Sequence, residues 1–338
     1  MILIDTVFIN DGGGKILLDY LYDEISRSSH SRKFMFLIDS RLRAEYSSKN
    51  KENIQIVFIS GFTERNRFYN RSKHSFSSVL CFANIPPNKR LKAKVYTYFH
   101  QLIYLGIPKD YSWKEKVKFK IKIAILDYFK KNTDGWIVQT GFVKKSLSKK
   151  FGISEQKIQV LPFYPPLEHT GTYHRAKHSF LYVSNANPHK NHPALVDAFC
   201  KFYDQYKTGH LTLTVSTHFP QVYNLIREKI EKGYPINNLG FIDRKNLYQY
   251  YREHEFVIYP SLSESFGLGL VEAIENGCKV LAADLPYVKA VCEPSFLFNP
   301  HETDSIFHTF VVSLTENLQN SKCFVKNNVD TVVKIISE

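Results

Sequence analysis

The sequence predicts an α/β protein of two doubly wound, Rossmann-like domains, 1–167 and 168–338, and three observations carry that expectation. From Phe256 the chain runs through an apolar strand (FVIY) and a polar turn with Ser261, Ser263 and Glu264. It then opens a helix near Gly267 and passes at once into a second apolar strand, Val280–Ala283. Strand, loop, helix, strand units of this kind build parallel sheets, with ligands beyond the carboxyl ends of the strands. Short apolar runs alternate with longer amphipathic stretches along the rest of the chain, as such sheets require. Pro162, Pro165 and Pro166 interrupt regular structure where the charge balance changes sign, and mark the linker.

The first half offers strands at Ile2–Ile9, Lys33–Ile38, Ile54–Ile59, Ser78–Ala83, Lys94–Phe99 and Trp136–Thr140, each an apolar run bounded by polar residues. Asp11–Lys15 (DGGGK) reads as a tight turn into a helix near Ile16. Arg65, Arg67, Arg71 and Lys73 lie in a basic connection and are expected to be solvated. Trp113–Lys131 shows both a period of two, in its alternating lysines, and a period of four, in Trp113, Val117, Ile121, Ile125 and Phe129. Its length favours helix. Such a basic helix with an aromatic start suits a membrane interface, and equally a helix packed on a sheet with its lysines in water. The second half offers strands at Phe180–Ser184, Leu211–Ser216, Leu239–Ile242, Phe256–Tyr259, Val280–Ala283 and Phe296–Phe298. Helices are expected from about Pro193 and from about Thr303, and Phe241 and Ile242 are expected in the core.

Composition narrows the class. With 338 residues, 43% of them apolar, there is enough core for two domains. Residues 1–165 carry 29 Lys+Arg against 14 Asp+Glu, a net +15, whereas residues 166–338 carry 16 against 18, a net −2. That asymmetry points to an anionic partner for the first domain, nucleic acid or an acidic membrane surface, or else to compositional drift toward lysine. No recognised nucleic-acid motif interleaves aromatic residues with those lysines, so no nucleic-acid partner is expected. Five cysteines without a C-x-x-C spacing argue for a reducing compartment and against a disulfide framework or zinc site. The start MILIDTVFIN does not resemble a signal peptide, and no apolar run reaches the roughly 18 residues of a membrane span. A soluble, cytoplasmic chain is the expectation.

The chemistry concentrates after Tyr259. Gly267 and Gly269 let the backbone approach an anion, and the first-turn N–H groups of the helix point at it. Glu264 before the helix and Glu272 inside it bracket that site. Each glutamate alone is equally a capping or solvated carboxylate favoured by the helix dipole. Together the string P-S-x-x-E-S-F-G-L-x-x-x-E-A, followed by G-x-x-V-x-A, resembles the Glu-x7-Glu signature of retaining GT-B glycosyltransferases of family 4, the group 1 transferases. The resemblance centres on residues 235–292 and extends over 134–200.

That resemblance implies a GT-B architecture with the two domains facing a cleft, and a final helix that commonly crosses back to the first domain. It implies transfer of a sugar from a UDP- or GDP-linked donor, with retained configuration, to a glycan or lipid-linked glycan acceptor. Synthesis of lipopolysaccharide, O-antigen or another surface polysaccharide is the implied setting, at the inner face of the plasma membrane. His100, after the strand VYTYF, matches the family's active-site histidine, and Glu264 would hold the donor sugar. Donor binding would fall to Gly13, Gly14, Lys190, Ser265, Phe266, Gly267, Leu268 and Glu272, with Glu272 on the ribose hydroxyls. Lys190, in P-H-K-N, resembles the basic residue aimed at the donor diphosphate, but Ser184 stands where the family often has an arginine six residues earlier. His189 or Asn185 would then make good part of that charge or bonding. No D-x-D cluster falls in a suitable place, so neither a metal nor a further cofactor is expected. A non-catalytic GT-B scaffold and a basic nucleic-acid-binding protein are the rival readings.

Overall fold

A computed structural model describes residues 1–27, 32–72, 74–108, 111–167 and 173–338. The chain divides into two compact units, Met1–Pro165 with Lys326–Glu338, and Pro166–Val325. Residues 168–172, beside the expected division, and Lys73, expected to be solvated, lie outside the described residues.

The first unit contains β1 (Ile2–Asp5), α1 (Gly12–Arg27), β2 (Phe34–Asp39), α2 (Arg43–Tyr46), β3 (Ile54–Ile59), α3 (Gly61–Ser72), β4 (Ser78–Cys81) and β5 (Lys94–Phe99). It continues with α4 (Trp113–Phe129), β6 (Gly135–Val138), α5 (Gly141–Phe151) and β7 (Ile158–Val160). These strands form one sheet in the order β3-β2-β1-β4-β5-β6-β7, with every pairing parallel. Every residue of β1, β2 and β4 is buried, which is why these strands read as unbroken apolar runs. The sheet packs Leu3, Leu37, Val79 and Val95 into one core cluster and Trp136, Val138, Val143 and Leu147 into another.

Several boundaries depart from the sequence expectation for visible reasons. β1 stops at Asp5, not Ile9, because polar groups capture the following backbone. The Thr6 hydroxyl donates to the Leu37 carbonyl at 2.8 Å, and the Phe8 N–H donates to Asp39 Oδ2 at 3.1 Å with Phe8 at φ +87°. β7 is a strand where only a linker was expected. Arg65 is not solvated. It is 2% exposed, and its Nε donates to Asp5 Oδ2 at 2.7 Å while Nη2 donates to the Ile85 carbonyl at 2.7 Å.

The second unit contains β8 (Ala176–Tyr182), α6 (His192–Tyr206), β9 (His210–Leu213), α7 (Pro220–Glu231), β10 (Ile236–Asn238), α8 (Leu247–Glu253), β11 (His254–Tyr259), α9 (Leu268–Glu275) and β12 (Lys279–Ala283). It closes with α10 (Pro286–Lys289), β13 (Cys292–Glu293), β14 (Phe296–Phe298), α11 (Thr303–Thr315) and β15 (Lys322–Cys323). Its six-stranded sheet has the order β10-β9-β8-β11-β12-β14, again wholly parallel. β13 and β15 form a separate antiparallel pair. The expected strand at Leu239–Ile242 is a loop, and Phe241 is 78% exposed rather than core. Asn238 ends β10 by clasping Val215 through both amide atoms, and Gly240 then turns at φ +70°. The terminal helix α12 (Val329–Ser337) belongs to the first unit, against α1 and β4.

Both sheets reverse direction of growth once, between β1 and β4 in the first and between β8 and β11 in the second. Such reversal points open a crevice at the carboxyl ends of the two strands, where α/β proteins hold ligands.

Buried histidines make the fold acid-sensitive. Burial lowers the pKa of His100 to about 4, of His192 to about 3 and of His254 to about 4, all below the unfolded value near 6.5. The unfolded chain therefore binds more protons between those values, and stability present above about pH 6.5 is lost as pH falls through 4. Near pH 5 the slope reaches at most about 4 kcal/mol per pH unit if all three contribute. Urea melts at pH 7 and pH 5 should show the lower midpoint at pH 5, and equal midpoints would contradict neutral burial.

Candidate functional site

In the second unit, the loops after β8 and β11 meet at the reversal point. The loop after β8 forms a single turn, Pro188–Lys190, and ends on Asn191 at φ +60°. Its backbone is tied to the neighbouring loop by the Leu262 N–H, which donates to the His189 carbonyl at 2.7 Å, and to β8 by the Tyr182 hydroxyl, which donates to the Lys190 carbonyl at 3.0 Å. This holds Lys190 Nζ at 2.5 Å from Glu264 Oε1. The Ser261 hydroxyl donates to the same carboxylate oxygen at 2.6 Å, and the Tyr287 hydroxyl donates to the Ser261 carbonyl at 2.7 Å. Both charged groups remain partly accessible, so a polar ligand can reach them.

The helix α9 starts directly beyond. Gly267 is its N-cap at φ +77°, with no side-chain cap. A Cβ there would lie 3.0 Å from Leu270 Cδ1, a tight approach to a side-chain methyl, and the positive φ is what favours glycine. The amino end of α9, including the Leu268 amide, therefore keeps its positive dipole end for an external acceptor. Phe266 is buried beneath it and Ser265 is half-buried.

Glu272 is not a solvated helix carboxylate. It is 4% exposed, forms an ion pair with Arg244, and accepts from the Tyr251 hydroxyl at 2.9 Å through Oε2. Burial raises its pKa, while Arg244 and Tyr251 pull in the opposite direction. Arg244 sits in the loop after β10 and Tyr251 on α8, with no spacing in the sequence that links either to Glu272. Ser184, where a family arginine was looked for, donates through Oγ to the Asn185 carbonyl at 2.7 Å and carries no charge to replace it.

In the first unit, His100 follows β5 and is buried. Its N–H donates to Asn84 Oδ1 at 2.7 Å, and the Gln101 N–H donates to the same oxygen at 3.1 Å. The ring stacks on Phe82 at 5.6 Å between centroids. Among the described residues its Nε2 has no hydrogen-bond partner, a costly state for a buried polar atom unless a ligand completes it. A Cβ on Gly14 would lie 3.1 Å from His100 Cε1, so the glycine gives the ring its place. Gly13 has open space around its Cα. Gly14, beyond β1, and His100, beyond β5, thus come together at the carboxyl edge of the first sheet, and Asn84, which sequence reasoning did not single out, anchors the backbone of His100 and Gln101. Beside them lies a largely apolar cavity of about 270 Å³ lined by Phe8, Ile9, Phe62, Asn84, Gln101 and Lys122, among others.

The two parallel sheets of seven and six strands define the class: this is the GT-B fold of glycosyltransferases. Residues 174–309 match the family model "Glycosyl transferases group 1". Among solved structures, the Anabaena protein Alr3699/HepE, in complex with UDP and glucose, is similar with a TM-score of 0.65 at 14% identity, over 99% of this chain and 95% of that one. The lipopolysaccharide outer core galactosyltransferase WaaB, in its apo form, is similar with a TM-score of 0.65 at 16% identity, over 99% and 94% of the two chains. The GtfA subunit of the Streptococcus agalactiae UDP-N-acetylglucosamine–peptide N-acetylglucosaminyltransferase is 36% identical over 62 residues, which are 18% of this chain and 12% of the relative. The match thus spans about an eighth of that curated relative's length.

Proposed function

We propose that the protein is a retaining glycosyltransferase that moves a sugar from a nucleotide diphosphate sugar to a glycan or lipid-linked acceptor. The observation that carries this reading is the Lys190–Glu264 pair set before the uncapped amino end of α9. A departing nucleoside diphosphate gains negative charge as the bond to the sugar breaks. Lys190 and the dipole of α9, with the Gly267 and Leu268 amides, are fixed in place to receive that charge, and so lower the barrier without reorganising. Ser265 and Phe266 shape the turn that presents these groups. Glu264 takes the hydroxyls of the donor sugar, and Glu272, held by Arg244 and Tyr251, faces the ribose.

His100 is proposed to accept or donate a hydrogen bond to a sugar hydroxyl through Nε2, with Gly13 and Gly14 leaving room for the ligand. At physiological pH its depressed pKa of about 4 keeps the ring neutral. The acceptor is assigned to the first unit, where the apolar cavity beside His100 suits an acceptor with a nonpolar portion. UDP is preferred as the nucleotide, because HepE is described with UDP and glucose and the streptococcal relative is named for UDP-N-acetylglucosamine. The name of WaaB supports a lipopolysaccharide or other surface glycan as acceptor. The net +15 of residues 1–165 supports an acceptor presented at an anionic membrane on the cytoplasmic side.

A thermal-shift panel with UDP-glucose, UDP-galactose, UDP-N-acetylglucosamine and GDP-mannose tests the donor assignment, followed by release of nucleotide diphosphate. At ligand 100-fold above Kd, binding should raise Tm by about 5–10 °C. No shift with any donor would reject the reading, and a shift without slow hydrolysis or transfer would favour a non-catalytic scaffold.

A further inference from the structure

The helix α4 presents its apolar residues to solvent. Of its 17 residues only Leu126 is buried, while Trp113 is 71%, Ile121 57% and Tyr128 66% exposed, with Val117 beside them. At 3.6 residues per turn these four side chains fall within about 80° of arc, one continuous stripe along the outer face. Large apolar residues gathered on one face differ from singly scattered ones, which need no explanation.

Lysines border the stripe on both sides. Lys120 lies along one edge and Lys114 and Lys118 along the other, all three exposed. Lys114 Nζ lies 5.8 Å from the Trp113 ring centroid and Lys131 Nζ 4.6 Å from that of Tyr128, so cations and aromatic rings share the surface. The two acids of the helix are engaged elsewhere. Glu115 closes a capping box with Ser112, and Asp127 pairs with Lys130 at 2.7 Å. The outward face therefore combines an apolar ridge with an excess of positive charge, the helix carrying five lysines against Glu115 and Asp127. That is the chemistry of an interfacial helix on an anionic bilayer, where the ridge enters the acyl boundary and the lysines meet phosphate headgroups. Among the described residues no helix is long and apolar enough to cross a membrane, so contact through α4 would be lateral.

We propose that the protein docks on anionic lipid bilayers through the outer face of α4, with Trp113, Val117, Ile121 and Tyr128 inserted and Lys114, Lys118 and Lys120 on the headgroups. The docking surface deepens the proposed membrane-borne acceptor and rests on that reading only for its purpose, since binding to lipid is measured without donor or turnover.

The chain has two tryptophans, and Trp136 is buried in the core, so a blue shift of tryptophan emission reports Trp113. The full chain is sedimented with vesicles of phosphatidylcholine alone or mixed with phosphatidylglycerol. Binding and a blue shift are expected with the mixed vesicles only, weakening as salt rises. Lys118→Gln with Lys120→Gln should lower partitioning about 25-fold, at about fivefold per lysine. Trp113→Ser with Ile121→Ser should lower it at least tenfold. Unchanged melting temperature and donor-induced shift would show both variants folded. Binding to neutral and anionic vesicles alike, binding indifferent to both double variants, no binding at all, or a lipid-free dimer that shields Trp113 would each overturn the proposal.

Discussion

Lys190→Ala is expected to weaken nucleotide-sugar binding by about 10- to 100-fold, the worth of one charge-assisted hydrogen bond of about 1.5–3 kcal/mol. Among the described residues no other cation pairs with Glu264 as Lys190 does, 2.5 Å from Glu264 Oε1, and Ser184 supplies no second positive charge. Truncation also leaves the Glu264 carboxylate without its cation, so an incoming diphosphate meets a like charge. The fold should survive. The bonds that shape this loop run through backbone atoms, from the Tyr182 hydroxyl to the Lys190 carbonyl and from the Leu262 N–H to the His189 carbonyl. Neither needs the lysine side chain. Because the charge grows as the diphosphate departs, kcat should fall along with affinity, whereas a purely structural lysine would leave both unchanged in the folded fraction. Calorimetry showing wild-type affinity for a donor that the parent protein binds would remove Lys190 from the site.

Arg65→Leu is expected to cost about 3–5 kcal/mol of stability, the largest effect of any single change considered. The guanidinium is buried with Asp5, and the pair is completed by the Ile85 carbonyl and by the Tyr69 hydroxyl, which donates to Asp5 Oδ2 at 2.5 Å. Leucine fills part of the volume but leaves Asp5 ionised in an apolar interior, or forces it to take up a proton. The carbonyl of Ile85 loses its donor as well. Chemical denaturation followed by far-UV circular dichroism should show the first unit unfolding at a much lower urea midpoint. A loss below about 1 kcal/mol would mean that Arg65 is exposed in solution, as its basic sequence context alone suggested.

That residue shows where sequence reading stopped. Arg65, Arg67 and Arg71 look alike in the sequence, and α3 turns only Arg65 of the three inward to Asp5, sixty residues earlier. Glu272 is similar. Its place in the motif suggested a ligand contact, but a carboxylate on an exposed helix face reads the same until Arg244 and Tyr251 are seen against it. Lys190 and Glu264 were each picked out separately, and their contact follows from β8 and β11 being neighbours, a pairing with no local signature. His100 was singled out from its place after an apolar strand together with the family resemblance. The lack of a partner for its Nε2 among the described residues, and the close approach of Gly14 to the ring, had no signal in the sequence. Phe241 misled in the other direction, because an apolar residue in a short run reads as core even where Asn238 and Gly240 have already ended the strand.

The sequence by itself determined the parallel α/β class, the glycine turn before α9 and the charge difference between the two halves of the chain. Those properties are local, set by apolar period, by glycine at positive φ and by composition. Only the tertiary structure decided which charged groups are buried in pairs, which meet at the reversal points of the sheets, and that the apolar stripe of α4 faces water. Each of these depends on contacts between residues far apart in the chain, and on the side of an element that the rest of the fold leaves uncovered.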